Sequence, residues 1–136
     1  MNEPTEVTGE NLVQAARAAM SQAYAPYSKF LVGAALLTGS GQVITGVNVE
    51  NASYGLTICA ERVAVFKAAS EGVRKITKIA IVSSSGEATF PCGACRQVLH
   101  EFSDDMSVLT QGGDGRVRSN KLAELLPHSF GPEDLE

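Results

Sequence analysis

Two short cysteine motifs are the residues of this sequence best suited to chemistry. The first is Cys59-Ala60-Glu61, and the second, some thirty residues later, is Pro91-Cys92-Gly93-Ala94-Cys95. Two cysteines spaced by two residues at a helix start can direct both sulfurs at one cation, and a third thiolate adds another ligand. Zinc accepts such ligands in tetrahedral geometry with Zn–S distances of about 2.3 Å. The spacing predicts a zinc site on Cys59, Cys92 and Cys95.

The predicted site lacks an obvious fourth ligand. A structural zinc site is closed by four protein ligands, whereas a catalytic site has three and leaves one position to water. The histidines of the chain are His100 and His128. His100 lies five residues beyond Cys95 and His128 follows a proline, so neither has the spacing of a ligand. The pattern predicts the catalytic type, in which the metal makes its water more acidic.

Glu61 lies two residues after Cys59, in the first turn of the helix that this motif is predicted to begin. A carboxylate beside water on a metal can take a proton and deliver it to another atom, which is general acid–base catalysis. The alternative is that Glu61 only complements the dipole of the helix N-terminus. The neighbouring cysteines favour the catalytic interpretation.

Positive charge is expected near the sulfurs, because three thiolates outweigh the charge of one Zn²⁺. Both helix starts supply partial positive charge. Arg62 can fold back over the first turn and donate to a thiolate, and Arg96 is a second candidate for charge compensation. The alternative for both arginines is an ordinary position in solvent.

The rest of the sequence predicts the elements that position these motifs. Apolar spacing and turn residues predict helices over Asn11 to Ala23 (capped by Thr8), Cys59 to Ser70, Pro91 to Phe102 and Lys121 to Leu126. They predict strands over Leu31 to Leu37, Val43 to Glu50, Ile76 to Ser83, Met106 to Thr110 and Arg116 to Arg118. This order predicts an α/β fold, a mixed sheet of about five strands sandwiched by helices, in a single domain over residues 1–136.

The second predicted strand has two distinct faces. Alternation places Val43, Thr45, Val47 and Val49 on one face and Gly46, Asn48 and Glu50 on the other. We expect the valine face to join the core and the other face to project Asn48 and Glu50 toward one place. The alternative is an ordinary strand end in solvent.

Composition limits the classes of partner. The 136 residues are 44% hydrophobic and 19% charged, with a net charge of -4 and no tryptophan, which argues against a groove for nucleic acid. Three cysteines fit a disulfide framework poorly and favour a reducing compartment. No apolar run approaches the roughly 18 residues of a membrane span, and the first ten residues do not resemble a signal peptide. We therefore expect a cytoplasmic protein without membrane or nucleic-acid partners.

Taken together, the motifs Cys59-Ala60-Glu61-Arg62 and Pro91-Cys92-Gly93-Ala94-Cys95-Arg96-Gln97 resemble the cytidine deaminase family, in its small, homotetrameric, three-cysteine form. The resemblance extends to four further segments: Ala25 to Phe30, Asn48 to Tyr54, Leu125 to Pro127 and Phe130 to Leu135. It therefore covers nearly the whole chain after the first helix.

The resemblance implies an α-β-α fold and the hydrolytic deamination of cytidine and deoxycytidine to uridine and deoxyuridine, a step of pyrimidine salvage. One Zn²⁺ per subunit would activate water for attack on C4, and Glu61 would carry a proton to N3 and help ammonia leave. The implied substrate contacts are Phe30 with the base, the Ala60 backbone with the pyrimidine, Asn48 and Glu50 with the ribose hydroxyls, and Tyr54 and Phe130 from neighbouring subunits. A homotetramer with shared active sites follows from the last two.

One position departs from the family pattern. Phe90 precedes the second cysteine motif, where the family more often has a small polar residue, so the pocket wall beside the metal is expected to differ.

Several other functions fit parts of the pattern. A redox dithiol at Cys92 and Cys95 would leave Cys59 unused, and a non-catalytic zinc module would need a fourth ligand. Within the deaminase fold, blasticidin S or a base in a polynucleotide are alternative substrates. The net charge and the match of Glu50 to the ribose-binding motif favour a free nucleoside.

Overall fold

The computed structural model describes residues 6–103 and 105–135, which form a five-stranded mixed sheet with helices on both faces. The strands are β1 (Val32–Thr38), β2 (Val43–Val47), β3 (Ile76–Ser83), β4 (Ser107–Gln111) and β5 (Val117–Lys121). The helices are α1 (Gly9–Met20), α2 (Ala60–Ser70), α3 (Gly93–His100) and α4 (Leu122–Leu125), with short 3₁₀ helices at Tyr54–Leu56 and Pro132–Leu135. The strand order is β2-β1-β3-β4-β5, in which β3 and β4 are parallel and the other neighbours antiparallel.

The two faces of the sheet carry separate apolar clusters. On one face, α1 packs Leu12, Val13 and Ala16 against small and branched residues of β1, β3 and β4. On the other face, α2, α3 and α4 cover a larger cluster that includes Leu36, Ile79, Ile81, Val108 and Leu99. The predicted α/β class and its five-stranded, helix-covered sheet are therefore confirmed.

Several predicted element boundaries differ from the structure. Helix α1 ends at Met20 rather than Ala23, and β5 extends to Lys121 rather than ending at Arg118. Thr8 caps α1 as expected, since its hydroxyl accepts a hydrogen bond from the Asn11 backbone N–H at 3.0 Å. Helix α3 begins at Gly93, with Cys92 as its N-cap, so the placement of Pro91 in its first turn was wrong. Strand β2 ends at Val47, so the residues from Asn48 onward follow the strand rather than belonging to it.

The predicted faces of β2 were inverted. Ile44, Gly46 and Asn48 are buried, whereas Val43 and Val49 are 37% and 43% exposed. The reason is Gly46, because a Cβ there would lie 2.5 Å from both the Ala60 carbonyl oxygen and the Ala64 nitrogen of α2. Glycine lets this helix lie directly on the strand, so the face that looks polar in sequence supports α2 and its N-terminal motif.

None of the helices within the described ranges is long and apolar enough to cross a membrane.

Candidate active site

The three cysteines lie at the starts of two neighbouring helices on the same face of the sheet. Cys59 is the N-cap of α2, Cys92 is the N-cap of α3, and Cys95 lies in the first turn of α3. Neither N-cap sulfur makes a capping hydrogen bond with its own helix, so neither is committed to closing the helix start. The three sulfur atoms lie within 4.8 Å of one another, although 33 residues separate Cys59 from Cys92.

The spacing of the sulfurs fits zinc. The Sγ atoms of Cys59 and Cys92 are 3.8 Å apart, and those of Cys92 and Cys95 are 3.4 Å apart. A disulfide bond has an S–S length of about 2.05 Å, so these sulfurs are too far apart to be bonded, and all three thiols are free. Tetrahedral zinc with Zn–S bonds of about 2.3 Å separates two sulfurs by about 3.8 Å. No other histidine, cysteine or carboxylate of residues 6–103 and 105–135 joins the group, which leaves a fourth position open.

The electrostatics of the thiols also favour a bound cation. The pKa of Cys59 is lowered to about 5, chiefly by a hydrogen bond with Cys95, while Arg62 acts in the same direction and burial opposes both. The same hydrogen bond, together with burial, raises the pKa of Cys95. The cluster by itself thus stabilises one thiolate at the expense of another. A divalent metal ion is what allows all three to ionise.

The two arginines occupy different positions. Arg62 Nη2 donates to Cys59 Sγ at 3.5 Å, as a group that offsets thiolate charge would. Arg96 instead donates from Nε to the Pro91 carbonyl at 2.7 Å and from Nη1 to the Leu125 carbonyl at 2.8 Å. Arg96 therefore holds the loop that enters α3, and its charge compensation stays a prediction.

Glu61 is only 4% exposed and lies in the first turn of α2, two residues after the cysteine that caps the helix. Burial raises the pKa of the Glu61 carboxyl to about 7, and the negative charge of Cys59 acts in the same direction. A buried carboxyl of this kind can hold or release a proton near neutral pH.

A pocket of about 200 Å³ lies over the cysteines and the glutamate. Its lining includes six residues predicted as metal ligands, catalytic residues or substrate contacts: Phe30, Asn48, Cys59, Ala60, Glu61 and Cys92. The other lining residues are Val32, Thr57, Ile58, Thr89 and Phe90. The structure thus brings together, in one pocket, the side chains expected to hold the metal, move protons and contact a base.

Asn48 and Glu50 help to shape this region through the backbone. The Asn48 side chain accepts from the Val32 N–H at 2.9 Å and donates to the Phe30 carbonyl at 2.8 Å. Glu50 Oε1 accepts from the N–H groups of Tyr27 and Ser28 at 3.0 and 3.1 Å. The Ser28 hydroxyl also donates to Glu50, and this bond is the main cause that lowers the pKa of the Glu50 carboxyl.

A second pocket of about 430 Å³ adjoins the first and contains Glu50 and Tyr54. Thr57 lines both pockets, so they meet at that residue. Sequence reasoning missed Thr57, because nothing in its local pattern marks a residue between two pockets.

Tyr54 and Phe130 are among the more exposed aromatic residues. Tyr54 is 76% exposed and packs edge-on against Tyr27. Phe130 is 60% exposed, and its carbonyl accepts from Gln97 Nε2 at 2.8 Å. Phe130 lines neither pocket of its own chain. The expected contact of Phe130 with a substrate stays a prediction.

Comparisons with known proteins agree with this geometry. Residues 7–111 match the family model of the cytidine and deoxycytidylate deaminase zinc-binding region. The chain is 50% identical over 125 residues to a cytidine deaminase of Halalkalibacterium halodurans, covering 91% of this chain and 95% of that protein. It is 46% identical over 127 residues to a cytidine deaminase of Sporosarcina psychrophila, covering 93% of each.

A solved structure gives the same result at the level of the fold. The crystal structure of cytidine deaminase from Burkholderia pseudomallei superposes with a TM-score of 0.85 at 48% identity, covering 90% of this chain and 99% of that one. Sequence, fold and the open cysteine cluster thus agree, and the chain belongs to the cytidine deaminase family, whose zinc-binding region it contains.

Proposed function

We propose that this protein is a zinc-dependent hydrolase that converts cytidine and deoxycytidine to uridine and deoxyuridine with release of ammonia. The observation that carries the proposal is a three-cysteine cluster with an open position, next to a buried glutamate, in a pocket of about 200 Å³. A zinc ion on Cys59, Cys92 and Cys95 supplies, when bound, a Lewis acid that activates water toward C4 of the base.

Glu61 is the residue that moves protons in this proposal. Its carboxylate takes a proton from the attacking water and delivers it to N3 of the pyrimidine. It then passes the second proton of that water to the departing amino group, so that the C4–N bond breaks as ammonia forms. Burial keeps bulk water from competing for these protons.

The two adjoining pockets suit the two parts of a nucleoside. The base lies in the pocket near the cysteines, where the Phe30 ring contacts it and where Ala60, the first residue of α2, has an N–H without an intrahelical partner to offer it. The sugar extends past Thr57 toward Asn48 and Glu50. The negative charge of Glu50 near the sugar disfavours a phosphate there, which favours nucleosides over nucleotides.

The function is tested by following the ultraviolet absorbance of cytidine and deoxycytidine with purified protein. We expect both to be converted, and we expect a zinc chelator to stop the reaction and added zinc to restore it. Blasticidin S serves as the comparison substrate and is expected to react poorly. If the protein binds one zinc per chain but converts neither nucleoside, it is a non-catalytic zinc-binding module. If it converts blasticidin S faster than either nucleoside, it is a blasticidin S deaminase.

We also propose that the active sites are completed between subunits of a homotetramer. Exposed apolar side chains at Tyr54, Leu56 and Phe130, each at least 60% exposed, support an interface near the pockets. Sedimentation of the active protein is expected to show a tetramer, and Phe130→Ala is expected to raise KM for cytidine. A fully active monomer would contradict the shared site. The single domain over residues 1–136 and the cytoplasmic location stay predictions from the sequence.

A further inference from the structure

Phe90 lies between the pocket near the cysteines and a separate hollow. The hollow, of about 490 Å³, is lined by the loop that precedes Phe90 and by the turn between β4 and β5. Phe90 is the one residue that lines both cavities. It therefore forms the boundary between the two spaces.

The backbone on both sides of Phe90 is held in place. On one side, the Thr89 hydroxyl lies 2.6 Å from the hydroxyl of Ser83, which is buried at the end of β3. On the other side, Pro91 is fully buried and its carbonyl accepts from Arg96 Nε at 2.7 Å. These contacts fix the position of the boundary.

The hollow behind Phe90 contains a polar group that lacks a partner. Thr110 is fully buried and lines the hollow, and within the described residues its hydroxyl has no hydrogen-bond partner. That hydroxyl is itself inaccessible, so the space beyond Phe90 is described by its volume of about 490 Å³, which is large enough for a short alkyl chain.

Phe90 lies on the side of the pocket where the C4 amino group of the substrate would bind. The amino group at C4 of the base must lie at the cysteines, and the sugar lies past Thr57 on the side of the adjoining pocket. Phe90 is two residues from Cys92 and does not line the pocket that receives the sugar. A substituent on the C4 amino group would therefore meet Phe90.

We propose that Phe90 determines specificity by limiting the size of the amine that this enzyme releases. The proposal rests on the function proposed above. With a smaller residue at this position, an N4-alkylcytidine would fit, with its alkyl chain in the hollow. The reaction would give uridine and a primary alkylamine: the C4–N4 bond breaks, a C4–O bond forms with the oxygen of water, and the two protons go to N3 and to the amine nitrogen.

The test compares Phe90→Ala with Phe90→Tyr, which keeps the ring. The measurement is kcat/KM for cytidine, N4-methylcytidine and N4-butylcytidine. We expect Phe90→Ala to raise the ratio for N4-butylcytidine over cytidine about tenfold or more, because removal of the ring removes the steric barrier and even one methylene changes discrimination by about tenfold or more. Phe90→Tyr is expected to leave this ratio near that of the unmodified protein. Phe90→Leu, with a smaller volume change, is expected to give an intermediate ratio and replaces the alanine variant if that one does not fold.

Two outcomes of the kinetic measurement would overturn the proposal. One is an equal loss of activity on all three substrates in Phe90→Ala and Phe90→Leu, which indicates a structural role only. The other is an unmodified protein that turns over N4-butylcytidine as well as cytidine. Binding of N4-butylcytidine by calorimetry, in a Glu61→Gln background, gives a readout without turnover, and we expect it to tighten when Phe90 is shortened. Absence of cytidine turnover would refute the proposed function. Unchanged binding of N4-butylcytidine when Phe90 is shortened would separately refute the role of Phe90 in limiting the size of the amine.

Discussion

Glu61→Gln is expected to abolish nearly all turnover of cytidine while zinc content and folding remain those of the unmodified protein. Glutamine has the shape of glutamate but cannot take a proton from water, and general acid–base groups contribute about 10²- to 10⁴-fold to rate. The site is only 4% exposed, and burial disfavours the charged carboxylate, so a neutral amide is not expected to destabilise α2.

The measurement is kcat for cytidine, together with zinc content per chain and the thermal unfolding midpoint. Glu71→Gln is a matched control, because it makes the same chemical change at the other end of α2, at an exposed residue. Turnover close to that of the unmodified protein in Glu61→Gln would refute the role of this carboxyl.

Cys95→Ser is expected to remove zinc and, with it, the activity. Cys95 is fully buried and its sulfur lies 3.4 Å from that of Cys92, so a replacement ligand cannot reach the position from solvent. A serine hydroxyl is a poor ligand for zinc beside two thiolates. We expect activity to fall by more than about 100-fold, since changes to groups that only support a ligand already cost about 10- to 100-fold.

Zinc per chain, measured by atomic emission after gel filtration, is expected to fall from one to near zero. Arg62→Gln gives a graded comparison, since it keeps all three sulfurs and removes only the donor at 3.5 Å from Cys59. That variant is expected to retain zinc, with weaker binding in competition with a chelator. Stoichiometric zinc in active Cys95→Ser protein would show that Cys95 is not a ligand.

Much of the fold was predictable, because its local signals agree with the tertiary arrangement. The Thr8 cap, the apolar spacing of α1 and the apolar run of β3 from Ile79 to Val82 each specify their own element. Local spacing also predicted that Cys59 and Cys92 lie at helix starts. The prediction that Pro91 lies in the first turn of α3 was wrong.

The faces of β2 and the organisation of the pockets could not be predicted in the same way. Alternation in sequence cannot tell which face of a strand meets a helix. Here the absence of a side chain at Gly46 decided it, because α2 lies so close to the strand that a Cβ there would overlap the helix backbone. Phe90 was noticed as an unusual residue, but only the structure shows that it separates two cavities. These features depend on contacts between segments distant in the chain.

The sequence alone determined the types of ligand, their places at two helix starts and the order of strands and helices, because each depends on residues within a turn or two of one another. The tertiary structure decided that three sulfurs from two helices lie within 4.8 Å, that Glu61 is buried beside them, and that pockets meet at Thr57 and at Phe90. The reason is that packing of α2 and α3 on one face of the sheet sets these distances, and that packing is a property of the whole core.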